Sequence, residues 1–136
     1  TCSPEEVEWV VWNSDSKVVF VGDNPMDGGN KKKMCAYRLH EIMDKLTKVE
    51  TVVVMDGVDM PEHPKSIDWI DFIQKRADIE YSEIEKRVEN ITPEDTFSLI
   101  YTSGTTGNPK GVELSYLTLD STKIVTQEVN PLKVDL

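Results

Sequence analysis

An α/β fold with a mainly parallel sheet and flanking helices is predicted from two kinds of pattern alternating along 136 residues. A short continuous apolar run at 18–21 (Val-Val-Phe-Val) and the run at 51–55 (Thr-Val-Val-Val-Met) read as buried strands, and 96–101 (Thr-Phe-Ser-Leu-Ile-Tyr) reads as the last clear strand, also expected to be buried. Between them, apolar residues recur at helical spacing with charges on the opposite side. Helix and strand in turn mark a layered fold with parallel strands.

The elements follow in order. Ser3-Pro4-Glu5-Glu6 opens a helix to about residue 13: Ser3 caps, Pro4 suits the first turn, and Glu6 completes a capping box. Val7, Val10 and Val11 fall on one face of it. After the strand at 18–21, residues 22–30 hold three glycines, two aspartates and a proline, and read as loop. A second helix is expected over 32–46, with Cys35, Leu39, Ile42, Met43 and Leu46 turned inward. The strand at 51–55 leads into a loop at 56–64, where Asp56-Gly57 reads as a turn. Ser66 is expected to open a short helix bearing Trp69, Ile70, Phe72 and Ile73. A charged helix at 77–88, the strand at 96–101 and a helix at 117–129 complete the chain.

Composition narrows the function. With 15 basic and 25 acidic residues, the chain carries a net charge of −10, which argues against nucleic-acid binding because that needs a basic face. One anion site remains compatible with this charge, since backbone N–H groups alone can build it. The acidic residues spread over helical stretches and read as a solvated face. Two cysteines make no disulfide framework and suggest a reducing compartment. His40 and His63 lack metal-ligand spacing, and no metal ligand is assigned. Trp9, Trp12 and Trp69 read as packing residues.

The chemistry gathers where the strand at 96–101 runs into Thr102-Ser103-Gly104-Thr105-Thr106-Gly107-Asn108-Pro109-Lys110-Gly111-Val112. Glycines let backbone N–H groups converge on an anion, and hydroxyls add short donors. Lys110 adds a mobile positive charge. The spacing is not that of a Walker loop, because Gly104 and Gly107 stand three apart and Lys110 lies between Pro109 and Gly111. A flexible linker is the competing reading, but a linker has no reason to continue an apolar strand.

Tyr101-Thr-Ser-Gly-Thr-Thr-Gly-Asn-Pro-Lys-Gly-Val112 resembles the phosphate-binding signature of the adenylate-forming (AMP-binding) superfamily. Ile91-Thr92-Pro93-Glu94-Asp95 resembles its usual lead-in, and Glu113-Leu114-Ser115 its usual exit. Tyr116 departs from the pattern, which commonly has histidine there. Weaker similarity at 3–23 and 46–57, together with the Asn-Pro-Lys-Gly form of the loop, points to the long-chain fatty acid CoA ligase branch.

The resemblance implies that residues 1–136 are an internal part of the large N-terminal domain of such a ligase, with the phosphate loop at 102–112. It implies ATP and Mg2+ as cofactors, coenzyme A as co-substrate, and a carboxylic acid, in this branch a fatty acid, as substrate. Thr102, Ser103, Gly104, Thr105, Thr106, Gly107 and Lys110 are the expected phosphate-binding residues. The catalytic residues, the adenine and acyl sites and the metal-binding acid are expected downstream, so the isolated chain is expected to be inactive. A cytoplasmic protein is expected, with membrane association of the longer protein left open. Two alternatives stand: an amino-acid or aryl-acid activating enzyme, and a non-catalytic interaction module that keeps the fold.

Overall fold

A computed structural model describes residues 3–22, 35–102 and 107–121. Helix α1 spans Pro4–Asn13, and both arms of its capping box form: the Ser3 hydroxyl accepts from the Glu6 N–H at 3.2 Å and the Glu6 carboxylate from the Ser3 N–H at 2.7 Å. Strand β1 (Val18–Val21) and strand β2 (Thr51–Val54) pair in parallel, Phe20 opposite Val53. Between them, helix α2 (Cys35–Ile42) runs on as a 3-10 turn at Met43–Lys45; the expected start at 32–34 and most of the glycine-bearing loop at 22–30 lie outside the described residues.

β2 is the centre of the layer, with Val52 and Val53 fully buried. On one face, Val21, Val52 and Val54 pack with Ala36, Leu39, Ile42, Met43 and Leu46, and Val7 and Val11 of α1 close over them. Phe20, one residue along β1, points to the opposite face. There it meets Phe72 edge-on at 5.4 Å and Trp69 at 6.4 Å, both on helix α3 (Trp69–Gln74). Helices therefore lie on both faces of a parallel sheet, as the alternation predicts.

Four expectations are corrected. Ser66 opens no helix: Ser66–Asp68 is strand β3, parallel to β2, and the helix begins only at Trp69. β1 is an edge strand in the order β1-β2-β3, so its Val18 and Phe20 are exposed, not buried on both faces. Cys35 stands at the start of α2 and is exposed, because the inward face of that helix belongs to Ala36, Leu39 and Ile42. Strand β4 (Thr96–Thr102) is largely exposed and, among the described residues, joins no parallel sheet. It pairs antiparallel with strand β5 (Lys110–Ser115) in a separate two-stranded ribbon.

Much of the rest follows the expected pattern. Asp56-Gly57 forms a turn, with Gly57 at φ 77 and the Val58 N–H on the Met55 carbonyl at 3.1 Å. The charged helix, expected from residue 77, begins only at Tyr81: α4 is Tyr81–Glu89, exposed along its whole length, and Lys75–Asp78 is a separate 3-10 turn. Residues 116–121 are helical; the remainder of the last expected helix lies outside the described residues. No described helix is long and apolar enough to cross a membrane.

Candidate functional site

The β4-β5 ribbon positions the candidate phosphate loop. Thr102 and Lys110 are cross-strand partners, the last pair before the strands part. Partners in register project from the same face of a ribbon, so the Thr102 and Lys110 side chains leave from one face at its open end. Both residues are exposed. Ser103, Gly104, Thr105 and Thr106 lie outside the described residues. Gly107 holds φ 88 with open space where a Cβ would stand, so backbone conformation and not crowding calls for glycine there. The described part of the loop thus offers one cation, one hydroxyl and a left-handed glycine on an open surface, a set suited to an anion.

One residue back from each partner, the ribbon shows its other face. Tyr101 pairs with Gly111, and its ring lies across that glycine: a Cβ on Gly111 would stand 3.0 Å from the Tyr101 Cζ. The Tyr101 hydroxyl donates to the Asn13 Oδ1 at the end of α1. One turn earlier on α1, the Trp9 indole N–H donates to the Pro109 carbonyl at 3.0 Å, directly before Lys110. Trp9 and Asn13 are four residues apart and share one face of the helix. Trp9 does pack against Trp12, at 5.4 Å, but its polar edge serves the loop. Sequence reasoning missed this use because the partners stand 100 and 88 residues apart. The available signal was a glycine, Gly111, in place of a strand former on the segment following the loop.

Between α1, the turn at 45–49 and Asn108 lies an open cleft of about 470 Å³, lined in part by Trp9, Trp12, Leu46 and Val49. Of the cations on its wall, Lys45 pairs with Glu8 at 3.3 Å and Lys48 with Asp15. Lys48 beside Asp15 holds that carboxyl below its usual range.

The histidines serve the fold. The His63 Nδ1 accepts from the Lys65 N–H at 3.2 Å, its Nε2 lies 3.3 Å from Asp44, and its ring meets His40 edge-on at 6.1 Å. Among the described residues, no three His, Cys, Asp or Glu side chains converge as metal ligands. Tyr116, where the signature commonly has histidine, packs edge-on against Phe97 at 5.3 Å, and its N–H donates to the Asp95 carbonyl at 3.1 Å.

Residues 1–132 match the AMP-binding enzyme family. The chain is similar to a long-chain-fatty-acid–CoA ligase, ACSBG2, of Gallus gallus, 32% identical over 91% of the chain and 15% of that protein. It is also similar to the ACSBG2 ligase of Xenopus laevis, 28% identical over 85% of the chain and 14% of that protein. An acetyl-coenzyme A synthetase of Bradyrhizobium sp. is 32% identical over 81% of the chain and 16% of its own length. The chain thus spans about one-sixth or less of each of these relatives. With the match running over nearly its whole length, the chain belongs to the AMP-binding enzyme family.

Proposed function

We propose that this chain supplies the triphosphate-gripping segment of an ATP-dependent acyl-CoA ligase. The observation that carries the reading is the open end of the β4-β5 ribbon, where Thr102 and Lys110 flank a loop containing a left-handed Gly107. The backbone N–H groups of Gly104, Thr105 and Gly107 bind the β- and γ-phosphates. The hydroxyls of Thr102, Ser103, Thr105 and Thr106 and the Lys110 ammonium complete the grip. Held so, the triphosphate is oriented for in-line attack: a carboxylate oxygen bonds to the α-phosphorus and pyrophosphate leaves with the electron pair of the broken P–O bond. In the second step the thiolate sulfur of coenzyme A bonds to the acyl carbon, and AMP leaves. Lys110 acts by charge and position, not as acid, base or nucleophile.

Magnesium, when bound to the same phosphates, supplies charge neutralisation. The described residues present no carboxylate cluster to hold it, so it would rest on the nucleotide and on groups elsewhere in the ligase.

The similarity to long-chain-fatty-acid ligases favours a long-chain fatty acid as the substrate. Similarity to acetyl-coenzyme A synthetases makes a short acid the specific second reading. Pyrophosphate exchange by the complete ligase, across a series of acids from acetate to palmitate, separates them. Exchange rising with chain length supports the long-chain reading; exchange confined to acetate contradicts it. Amino-acid or aryl-acid dependence would move the enzyme to another activating class, and no exchange with any acid would leave only an interaction module. The 136-residue chain alone is expected to bind ATP with a Kd of about 1 mM or weaker, equivalent to about −4 kcal/mol.

A further inference from the structure

We infer that Trp9, Asn13, Tyr101 and Gly111 form a clamp through which helix α1 presets the phosphate loop, making Trp9 and Tyr101 positioning residues for Lys110. The inference rests on the triphosphate reading above and extends it to residues outside the signature's hydroxyls and lysine.

The geometry is that of two anchors on one rigid rod. Trp9 and Asn13 lie one turn apart on α1, and α1 is itself fixed to the parallel layer by Val7 and Val11. Trp9 holds the strand leaving the loop at the Pro109 carbonyl, one residue before Lys110. Asn13 holds the strand entering it through the Tyr101 hydroxyl, one residue before Thr102. Because side chains alternate along a strand, grasping Tyr101 from the α1 side directs Thr102 away from α1, and Lys110 with it. Gly111 permits the arrangement, since any Cβ there would meet the Tyr101 ring at 3.0–3.2 Å. A glycine-bearing loop left to itself must be ordered when it binds phosphate, at a cost in backbone freedom for each residue fixed. Fixing both ends beforehand removes part of that cost from the binding step.

The test is a kinetic cycle in the complete ligase with Trp9→Phe, Tyr101→Phe, Lys110→Ala and the Trp9→Phe/Lys110→Ala double variant. Tyr101→Phe keeps the ring and removes only the donor; Trp9→Phe removes the donor together with part of the ring that packs on Trp12, so the melting temperature is read beside the kinetics. Each is expected to raise the KM for ATP about three- to tenfold, the range of one lost neutral hydrogen bond, with the KM for the acid and the melting temperature near wild type. The double variant is expected to be less impaired than the product of the two single effects, because Trp9 acts through Lys110. If Lys110→Ala is impaired while both aromatic variants keep the wild-type KM for ATP, the clamp is refuted and the triphosphate reading stands. Equal rises in KM for every substrate, or fully multiplicative effects, refute it as well by showing a general structural role. A Lys110→Ala enzyme with normal kinetics refutes the triphosphate reading and the clamp together.

Discussion

The parallel layer and the β4-β5 ribbon solve opposite problems. In the layer, Val52, Val53 and Met43 are almost completely removed from water, and helices cover both faces. In the ribbon, no described residue is buried: Phe97, Leu99, Ile100 and Val112 are all exposed. The layer is held by apolar burial, the ribbon by its ladder and by hydrogen bonds reaching back to α1. Thr102 and Lys110, which flank the proposed phosphate loop, sit on the ribbon. An anion site needs open backbone N–H groups and a solvated cation, which a close-packed core cannot offer. Stability and chemistry are thereby separated by element, and substitutions should separate them too.

The widest contrast is expected in the core. Leu39→Ala should lower unfolding free energy by about 2–5 kcal/mol, since Leu39 is 3% exposed and its loss leaves a cavity. Leu99→Ala on the ribbon, where the side chain is 41% exposed, should cost less than about 1 kcal/mol. Denaturant titration checks both, and equal losses would break the comparison.

Gly107→Ala and Gly111→Ala sharpen it within the ribbon. At Gly107 the cost is conformational, about 1–2 kcal/mol for a Cβ at φ 88, with nothing to collide with. At Gly111 it is steric: Tyr101 must swing away and release Asn13, so ATP affinity should fall together with the Tyr101→Phe variant and not further when the two are combined. Thermal melts and ATP titrations of the single and double variants distinguish the two causes.

Smaller effects belong to the ends of α1, the element that joins the two regions. Ser3→Ala removes one arm of the capping box and should cost about 1 kcal/mol. At the other end, Asp15 stands at φ 55, which Asp and Asn tolerate, and Lys48 lowers its pKa. A lowered carboxyl pKa gives stability that is present above the ordinary Asp range and is lost as pH falls through the lowered value. Asp15→Asn keeps the backbone but should flatten that acid-side loss by a small amount, the pair being exposed, as melts between pH 2 and 6 would record.

Local and strongly patterned features were legible in the sequence. The capping box of α1, the buried β2 run, the inward Leu39, Ile42 and Met43, and the phosphate signature all announce themselves within a few neighbouring residues. Features set by distant partners were not. β3 holds three residues with a single apolar one, Ile67, and is a strand only because β2 supplies its ladder. Phe20 reads as core but lies on an edge strand, and β4 reads as core yet, among the described residues, pairs with β5 alone. The expected site is legible by composition, while the Trp9 and Asn13 contacts depend on α1 meeting a segment some 90 to 100 residues away.

The most direct test of the account is the pyrophosphate exchange rate of Lys110→Ala in the complete ligase, measured on protein whose melting temperature is checked in parallel. Lys110 is exposed and lies outside the core, so the melting temperature should stay near wild type. The exchange rate should fall about 10- to 100-fold, matching one lost charge-assisted contact of about 1.5–3 kcal/mol. Exchange at the wild-type rate, in a variant that melts normally, would contradict the claim that this loop grips the triphosphate.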